Sequence, residues 1–167
     1  MLTLDEVRLP RDMLTNPARY LDRLNFATNY AFFRDEPGLH TRLVTANYWA
    51  GYGAGQVRLW LRLFDGAGDV LAQWEERVPP GPGGIAIDSQ EVRARFDLPP
   101  FAGQLFVHAI GVAGHDVVKY ALDTYADGDG SSLSCTHDAN AWPSDRYAGL
   151  PAPREDERVV LWVQNSH

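Results

Sequence analysis

Two histidine–aspartate dipeptides are the residues of this chain best suited to chemistry: His115 with Asp116, and His137 with Asp138. An imidazole beside a carboxylate can ligate a divalent metal, or it can act as a general base with an orienting partner. The four residues could therefore serve a metal-assisted hydrolase. The compact ligand spacings H-x-H, H-E-x-x-H and C-x-x-C are missing from the sequence, so we expect no metal and no other cofactor.

Geometry decides whether the two pairs can cooperate. His115 lies in a predicted tight turn, whereas His137 lies in a long loop predicted at residues 126–157. That loop leaves from the far end of the intervening strand, and a nine-residue strand is about 30 Å long. The loop must run back along the domain before the pairs can meet, and the sequence does not require it to do so.

Cys135 is the only cysteine and lies two residues before His137. The spacing suggests a thiolate nucleophile, but nucleophile and base normally come from different elements and meet in space. We therefore favour a small buried hydrophobic role for Cys135. Asp127 opens a segment that resembles a calcium loop but has serine at the sixth position and no glutamate at the twelfth, so we interpret it as a turn.

Aromatic residues in predicted loops are the second candidate site. Trp49 and Tyr52 flank glycines, and Trp142 lies in the long loop. Rings held at the end of a β domain can stack on a sugar or another small polar ligand, although they can equally plug the ends of the core. Together with His115, Asp116, His137 and Asp138, these three residues form the predicted ligand-binding set.

Two further histidines lie within predicted strands. His40 shares a strand face with Arg42, and the two could receive an anion or a carboxylate, or could be solvated. His108 lies between Phe106 and Ile110 on an apolar face, which predicts a satisfied core histidine. Asp35 is expected near the mouth of the long loop.

Composition excludes several classes of partner. The 167 residues are 45% hydrophobic and 22% charged, with a net charge of −7 and a single lysine. A negative domain without a basic run is repelled by phosphate backbones and anionic lipid, so we expect no nucleic-acid and no membrane partner. One cysteine and an amino terminus without an apolar signal region predict a cytoplasmic protein.

Apolar residues recur at every second position along much of the chain, and this pattern predicts β-strands. Alternation of apolar residues indicates strands at about 26–32, 39–48, 56–64, 70–78, 85–87, 104–112, 117–125 and 158–164. The clearest unit is the hairpin made by 56–64 and 70–78, joined by the turn DGAGD. Residues 89–96 are either one helical turn capped by Ser89 or a charged edge strand.

About eight strands without a long amphipathic helix predict an all-β, mainly antiparallel fold, a two-sheet β-sandwich or jelly roll. Residues 1–25 form a lead-in with a short helix from Asn16, and 26–167 form one domain. The strand rhythm from Asn47 to Pro80 resembles that of small cytoplasmic β-sandwich proteins such as the sensory rhodopsin transducers. This resemblance rests on rhythm and not on a motif, and we assign no family from it.

The last predicted strand, from Arg158 to Gln164, is apolar on both faces. Such a strand is either central in a sheet or covered by a partner, so we expect a homo-oligomer formed through it or through the long loop. The sequence as a whole favours a non-catalytic module that binds a carbohydrate-like or other small polar ligand, or another protein. A metal-assisted hydrolase and a structural assembly subunit stay open as alternatives.

Overall fold

The computed structural model describes residues 26–81, 83–114, 117–128, 134–137 and 153–157. Three predictions lie outside these residues: the helix of the lead-in at 1–25, the final strand from Arg158 to Gln164, and most of the 126–157 loop. Among the described residues, no helix has the length and apolar character needed to cross a membrane.

Eight strands make up most of the described chain, which confirms the all-β, mainly antiparallel prediction. They are β1 (Phe26–Glu36), β2 (Leu39–Ala46), β3 (Arg58–Asp65), β4 (Val70–Arg77), β5 (Gly84–Asp88), β6 (Phe101–Ile110), β7 (Ala121–Tyr125) and β8 (Ser134–His137). Their order is β4-β3-β6-β1-β2-β7-β8, with β5 paired to β2. The predicted hairpin is confirmed as β3 and β4, with a register irregularity at Leu63 and Phe64.

Alternating apolar residues explain which face of each strand is buried. In β3, Leu59, Leu61 and Leu63 are fully buried. Leu105 and Val107 on the adjacent strand β6 are fully buried as well. In β1 the buried apolar side chains are Ala27, Ala31 and Phe33, so the aromatic residues Tyr30 and Phe32 lie on the other, half-buried face.

The expectation that His108 is a core histidine was wrong. The buried face of β6 carries Leu105, Val107 and Ala109, and His108 is on the opposite, half-buried face. Its ring lies 6.2 Å from that of Trp60. Because β6 is apolar on both faces, its sequence alone did not show which face is turned inward.

Strand β2 changes partner along one edge. β1 and β2 pair only beside their turn, at Asp35 with His40 and Glu36 with Leu39, and β5 then pairs with β2 from Arg42 onward. At the change of partner the Thr41 hydroxyl accepts from the Arg34 amide at 2.9 Å and donates to the Arg34 carbonyl at 3.1 Å. The fully buried Ser89 hydroxyl accepts from the Thr41 amide at 3.0 Å.

Thr41→Val should destabilise the protein by about 1–3 kcal/mol, because it leaves buried backbone groups of Arg34 without their partner while preserving side-chain shape. Thr124→Val on β7 is the matched control, since the Thr124 hydroxyl bonds to none of the described residues. Urea unfolding of both variants measures the difference. A loss at position 41 no larger than at position 124 would show that the hydroxyl is not needed at this junction.

The segment 89–96 is a helix, α1 (Ser89–Phe96), and not an edge strand. Its cap is Asp88, whose carboxylate accepts from the Gln90 amide at 2.9 Å, so the predicted Ser89 cap was wrong. The Ser89 hydroxyl instead accepts a hydrogen bond from the Thr41 amide. A 3₁₀ helix spans Tyr48–Tyr52, within the glycine-rich segment after β2.

The region around β7 differs from prediction in two respects. β7 begins at Ala121, because residues before it lie along β1: the Val118 amide donates to the Thr28 carbonyl at 3.2 Å. The 126–157 loop was predicted to be irregular throughout, yet it contains β8, which pairs with β7 from Ala121–His137 to Thr124–Ser134. These four residues show little alternation of apolar and polar side chains, and they form a strand because they pair with the edge of β7.

Candidate functional site

The turn between β1 and β2 brings Asp35 and His40 together. Pro37 and Gly38 form a two-residue connection, in which Gly38 adopts φ +80°. Asp35 and His40 are therefore opposite each other, and directly paired residues of antiparallel strands project to the same side. The His40 Nδ1 lies 2.5 Å from Asp35 Oδ1, and their side chains are only 5% and 2% exposed.

The other ring nitrogen of His40 meets a different carboxylate. Nε2 lies 2.7 Å from Oδ1 of Asp127, which follows β7 and is 66% exposed. The side-chain amide nitrogen of Gln90, from the first turn of α1, is 3.1 Å from the same Nε2. One buried imidazole thus joins β2 to β1, α1 and the segment after β7.

Arg93 completes this cluster from α1. Its guanidinium NH1 lies 3.1 Å from Asp35 Oδ2, and its Nε donates to the Leu98 carbonyl at 3.2 Å. Both oxygens of the buried Asp35 are therefore bonded to cationic or ionisable side chains, one to His40 and the other to Arg93. We call Asp35, His40, Gln90, Arg93 and Asp127 the His40 cluster.

A second set of polar contacts lies beside the His40 cluster. Tyr125 on β7 donates its hydroxyl to Asp88 Oδ2 at 2.6 Å, and its ring centroid is 5.3 Å from that of His40. Arg42 binds Asp123 Oδ2 at 3.2 Å. Burial, followed by the hydrogen bond to Asp88, raises the pKa of Tyr125 well above its usual range, so this hydroxyl acts as a donor.

A cleft of about 300 Å³ opens next to the cluster. It is lined by Asp35, Gln90, Arg93, Ala94, Asp97 and Leu98. Two of these residues, Asp35 and Gln90, also contact the His40 ring, so the cleft and the imidazole share a wall. Arg93 is 38% exposed there. The cleft offers donors from Gln90 and Arg93 and an exposed carboxylate from Asp97.

Opposing influences set the protonation of His40. Burial is the largest and acts to lower the pKa, but the hydrogen bonds to Asp127 and Asp35 and the charges of both carboxylates together raise it above 6.5. These two carboxylates stabilise the imidazolium form of the ring. Burial lowers the pKa of His108.

Stability should fall as pH rises above 6.5. A histidine pKa raised by folding contributes its full stabilisation below the unfolded value, and this contribution is lost as the pH passes through the folded pKa. We expect the free energy of unfolding of the wild type to decline more steeply above pH 6.5 than that of His40→Gln. His108 titrates in both proteins and cancels from the comparison. Equal slopes would mean that folding does not raise the pKa of His40.

The structure separates the aromatic candidates. Trp49 is fully buried, so its predicted stacking role was wrong and the ring is part of the core. Tyr52 is 49% exposed and its ring lies so close to Gly114 that a β-carbon there would come within 2.4 Å of it. Trp142 lies outside the described residues.

The two histidine–aspartate pairs are not brought together by anything described. His115, Asp116 and Asp138 lie outside the described residues, as does the side chain of His137, whose backbone ends β8. Within the described part of the chain, no three His, Cys, Asp or Glu side chains are grouped as metal ligands. The shared metal or ligand site therefore stays a prediction.

Cys135 is exposed on β8, so its assignment as a buried hydrophobe was wrong. The side chain of Asp123, its cross-strand neighbour, raises the pKa of the thiol, mainly through hydrogen bonding. A raised pKa disfavours the thiolate, which is the reactive form. The arrangement does not activate Cys135 as a nucleophile.

The His40 cluster contains residues that the sequence analysis did not assign to a site. His40 and Arg42 were predicted either to receive an anion or a carboxylate or to be solvated. Both contact carboxylates, His40 those of Asp35 and Asp127 and Arg42 that of Asp123. Asp35 was correctly placed near the start of the long loop. Gln90 and Arg93 carried no signal because their segment was left open between a helical turn and an edge strand.

Comparisons with known proteins give no further guidance to the site. No protein-family model, no curated protein and no solved structure matches this chain. Function must be argued from the geometry.

Proposed function

We propose that this domain is a non-catalytic binding module that takes a small polar ligand in the cleft beside α1. The observation that carries the proposal is the chain of contacts from Arg93 through Asp35 to His40, buried at its centre and ending at an open cleft. Buried ion pairs are often no more stabilising than apolar residues of the same volume. Their position at a cleft wall therefore supports a role in recognition.

The surroundings of His40 support binding over acid–base catalysis. Asp35 contacts Nδ1, Asp127 contacts Nε2 with Gln90 beside it, and the two carboxylates raise the pKa of the ring. The raised pKa favours the imidazolium, which can bind an anion but cannot remove a proton as a general base. The Ser89 hydroxyl near this cluster accepts a hydrogen bond from the Thr41 amide and is fully buried, so it is not placed to act as a nucleophile.

The lining of the cleft favours a ligand with both hydrogen-bond donors and acceptors. Arg93 and Gln90 can donate, whereas the exposed carboxylate of Asp97 can accept. A volume of about 300 Å³ suits a compound of the size of a monosaccharide or a small hydroxy acid. Such recognition by a few fixed polar groups is typical of small-molecule sites.

Ligand-observed NMR with a panel of monosaccharides, polyols and small organic acids tests this proposal. We expect binding to be lost in Arg93→Ala and kept in Arg154→Ala. Arg154 is the matched control because it is exposed and pairs only locally, with Glu157 at 4.0 Å. Failure of every panel compound to bind, or binding that is indifferent to Arg93, would contradict the cleft as the site.

We further propose that the strands form two stacked sheets. Strands β4, β3, β6 and β1 form one group and β5, β2, β7 and β8 the other, and the two groups pair only beside the β1–β2 turn. Leu43 and Leu122 of the second group share one hydrophobic cluster with Leu61 and Leu105 of the first, which supports stacking.

Self-association through the segment from Arg158 to Gln164, or through the long loop, is proposed from the two-sided apolar pattern of that segment in the sequence. A solution mass equal to one chain at all concentrations would contradict it.

A further inference from the structure

We propose that Asp127 occupies a carboxylate-binding position formed by His40 and Gln90, and that a small monocarboxylate ligand displaces it. The inference rests on the proposed binding function and names the ligand class of that site. Asp127 would then act as an internal substitute for the ligand.

His40 is buried and held in place by other residues of the cluster, whereas Asp127 is exposed. His40 is 5% exposed and is held by Asp35, which is itself bound by Arg93. Asp127 is 66% exposed and touches the ring through one oxygen, at 2.7 Å. It lies beyond the last residue of β7, so its departure breaks no strand pairing.

The contact is exposed on the Asp127 side, where water competes for the carboxylate and the side chain loses freedom in holding it. An external carboxylate of suitable size could therefore compete with Asp127 for the imidazole. The adjoining cleft supplies room for the rest of such a ligand, since Gln90 belongs both to its wall and to the surroundings of Nε2.

The charges around His40 favour a monoanion. The charged and titratable groups near it are Asp35 on β1, Arg42 on β2, Asp88 and Arg93 at β5 and α1, and Asp123 and Tyr125 on β7. With His40 protonated, three cations face four carboxylates once Asp127 has left, counting Asp97 on the cleft wall. One added carboxylate restores the balance found with Asp127 in place, whereas a dianion such as sulfate adds a further negative charge.

The experiment is an NMR titration of the ¹⁵N-labelled full chain with sodium acetate at pH 6, at constant ionic strength maintained with sodium chloride. Acetamide, which has nearly the same shape and no charge, is the control ligand. We expect Asp127→Ala to bind acetate about fivefold more tightly than the wild type, as removal of a weak internal competitor predicts. The shifts should centre on His40 and Gln90. Asp156→Ala, an exposed aspartate elsewhere, should match the wild type.

Three outcomes would overturn the inference: no gain in Asp127→Ala, equal binding of acetate and acetamide, or tighter binding of sulfate, a dianion at pH 6, than of acetate. Loss of acetate binding in Asp127→Ala when His40→Gln is added supports it. If Arg93-dependent ligands bind but Asp127→Ala gives no gain, only the inference fails. If the panel also fails to bind, the proposed function fails with it.

Discussion

Replacing Asp35 by alanine is expected to lower the free energy of unfolding by about 3 kcal/mol, the largest effect of any single change in the His40 cluster. Asp35 is 2% exposed and binds His40 with one oxygen and Arg93 with the other. Its removal leaves the buried imidazole without an acceptor at Nδ1. A buried charge that loses its partner costs more than the intact pair contributed.

Thermal and urea unfolding at pH 6 measure this effect, and a loss of about 3 kcal/mol corresponds to a decrease in Tm of about 6–12 °C. Glu76→Ala is the matched control, because it removes a carboxylate from an ion pair with Arg95 whose side chains are 33% and 53% exposed. We expect that variant to lose less than about 1 kcal/mol. Equal losses in the two variants would mean that burial of Asp35 gives it no special weight.

Asp35→Asn separates charge from shape. The amide keeps the volume of the carboxylate and can still accept one hydrogen bond, so we expect a loss between those of the wild type and Asp35→Ala. If Asn is as damaging as Ala, the negative charge itself is what the imidazole and the guanidinium require.

Gly103→Ala is expected to destabilise the protein by at least about 3 kcal/mol, through contact between strands and not through backbone strain. Gly103 lies in β6 between Phe33 of β1 and Asp65 of β3. A β-carbon at this position would lie 1.8 Å from the Phe64 carbonyl oxygen and 2.9 Å from its carbon. Backbone atoms cannot rotate away as a flexible side chain can, so β3 and β6 would have to separate.

Gly55→Ala is the control for this change, since a β-carbon there would meet nothing within 4 Å. Circular dichroism and urea unfolding of the two variants, compared with the wild type, measure the difference. If Gly103→Ala does not fold, limited proteolysis of the purified product still distinguishes it from the control. A stability within 1 kcal/mol of that of Gly55→Ala would show that the two strands do not need this close approach.

The sequence predicted most strands correctly because their apolar residues alternate. In β3 the alternation of leucines with arginines and tryptophan left only one choice of buried face. In β1 and β6 both faces are apolar, and the inward face could not be read from the pattern: the small residues Ala27 and Ala31 are buried, while Tyr30 is only half-buried. Alternation of apolar residues predicts a strand, but side-chain volume and the neighbouring elements determine which face of the strand is buried.

The His40 cluster was only partly predictable for a different reason. Asp35 and His40 are five residues apart, and their contact follows from the short turn between them. Gln90 and Asp127 are 50 and 87 residues from His40 and meet it only through the folded chain. Residue type left His40 open to an anion, a carboxylate or solvent, and the topology was needed to choose among them and to identify its partners.

The pairing of β1 with β6 has a consequence for how the chain folds. Four strands and two helical segments lie between these two elements in sequence, so their ladder cannot close until the chain has been synthesised well beyond its middle. Contacts between distant segments make folding slow, because loop closure must precede the stabilising contact. During synthesis, β1 and its aromatic residues would therefore be exposed without β6. In that state β1 could associate with non-native partners.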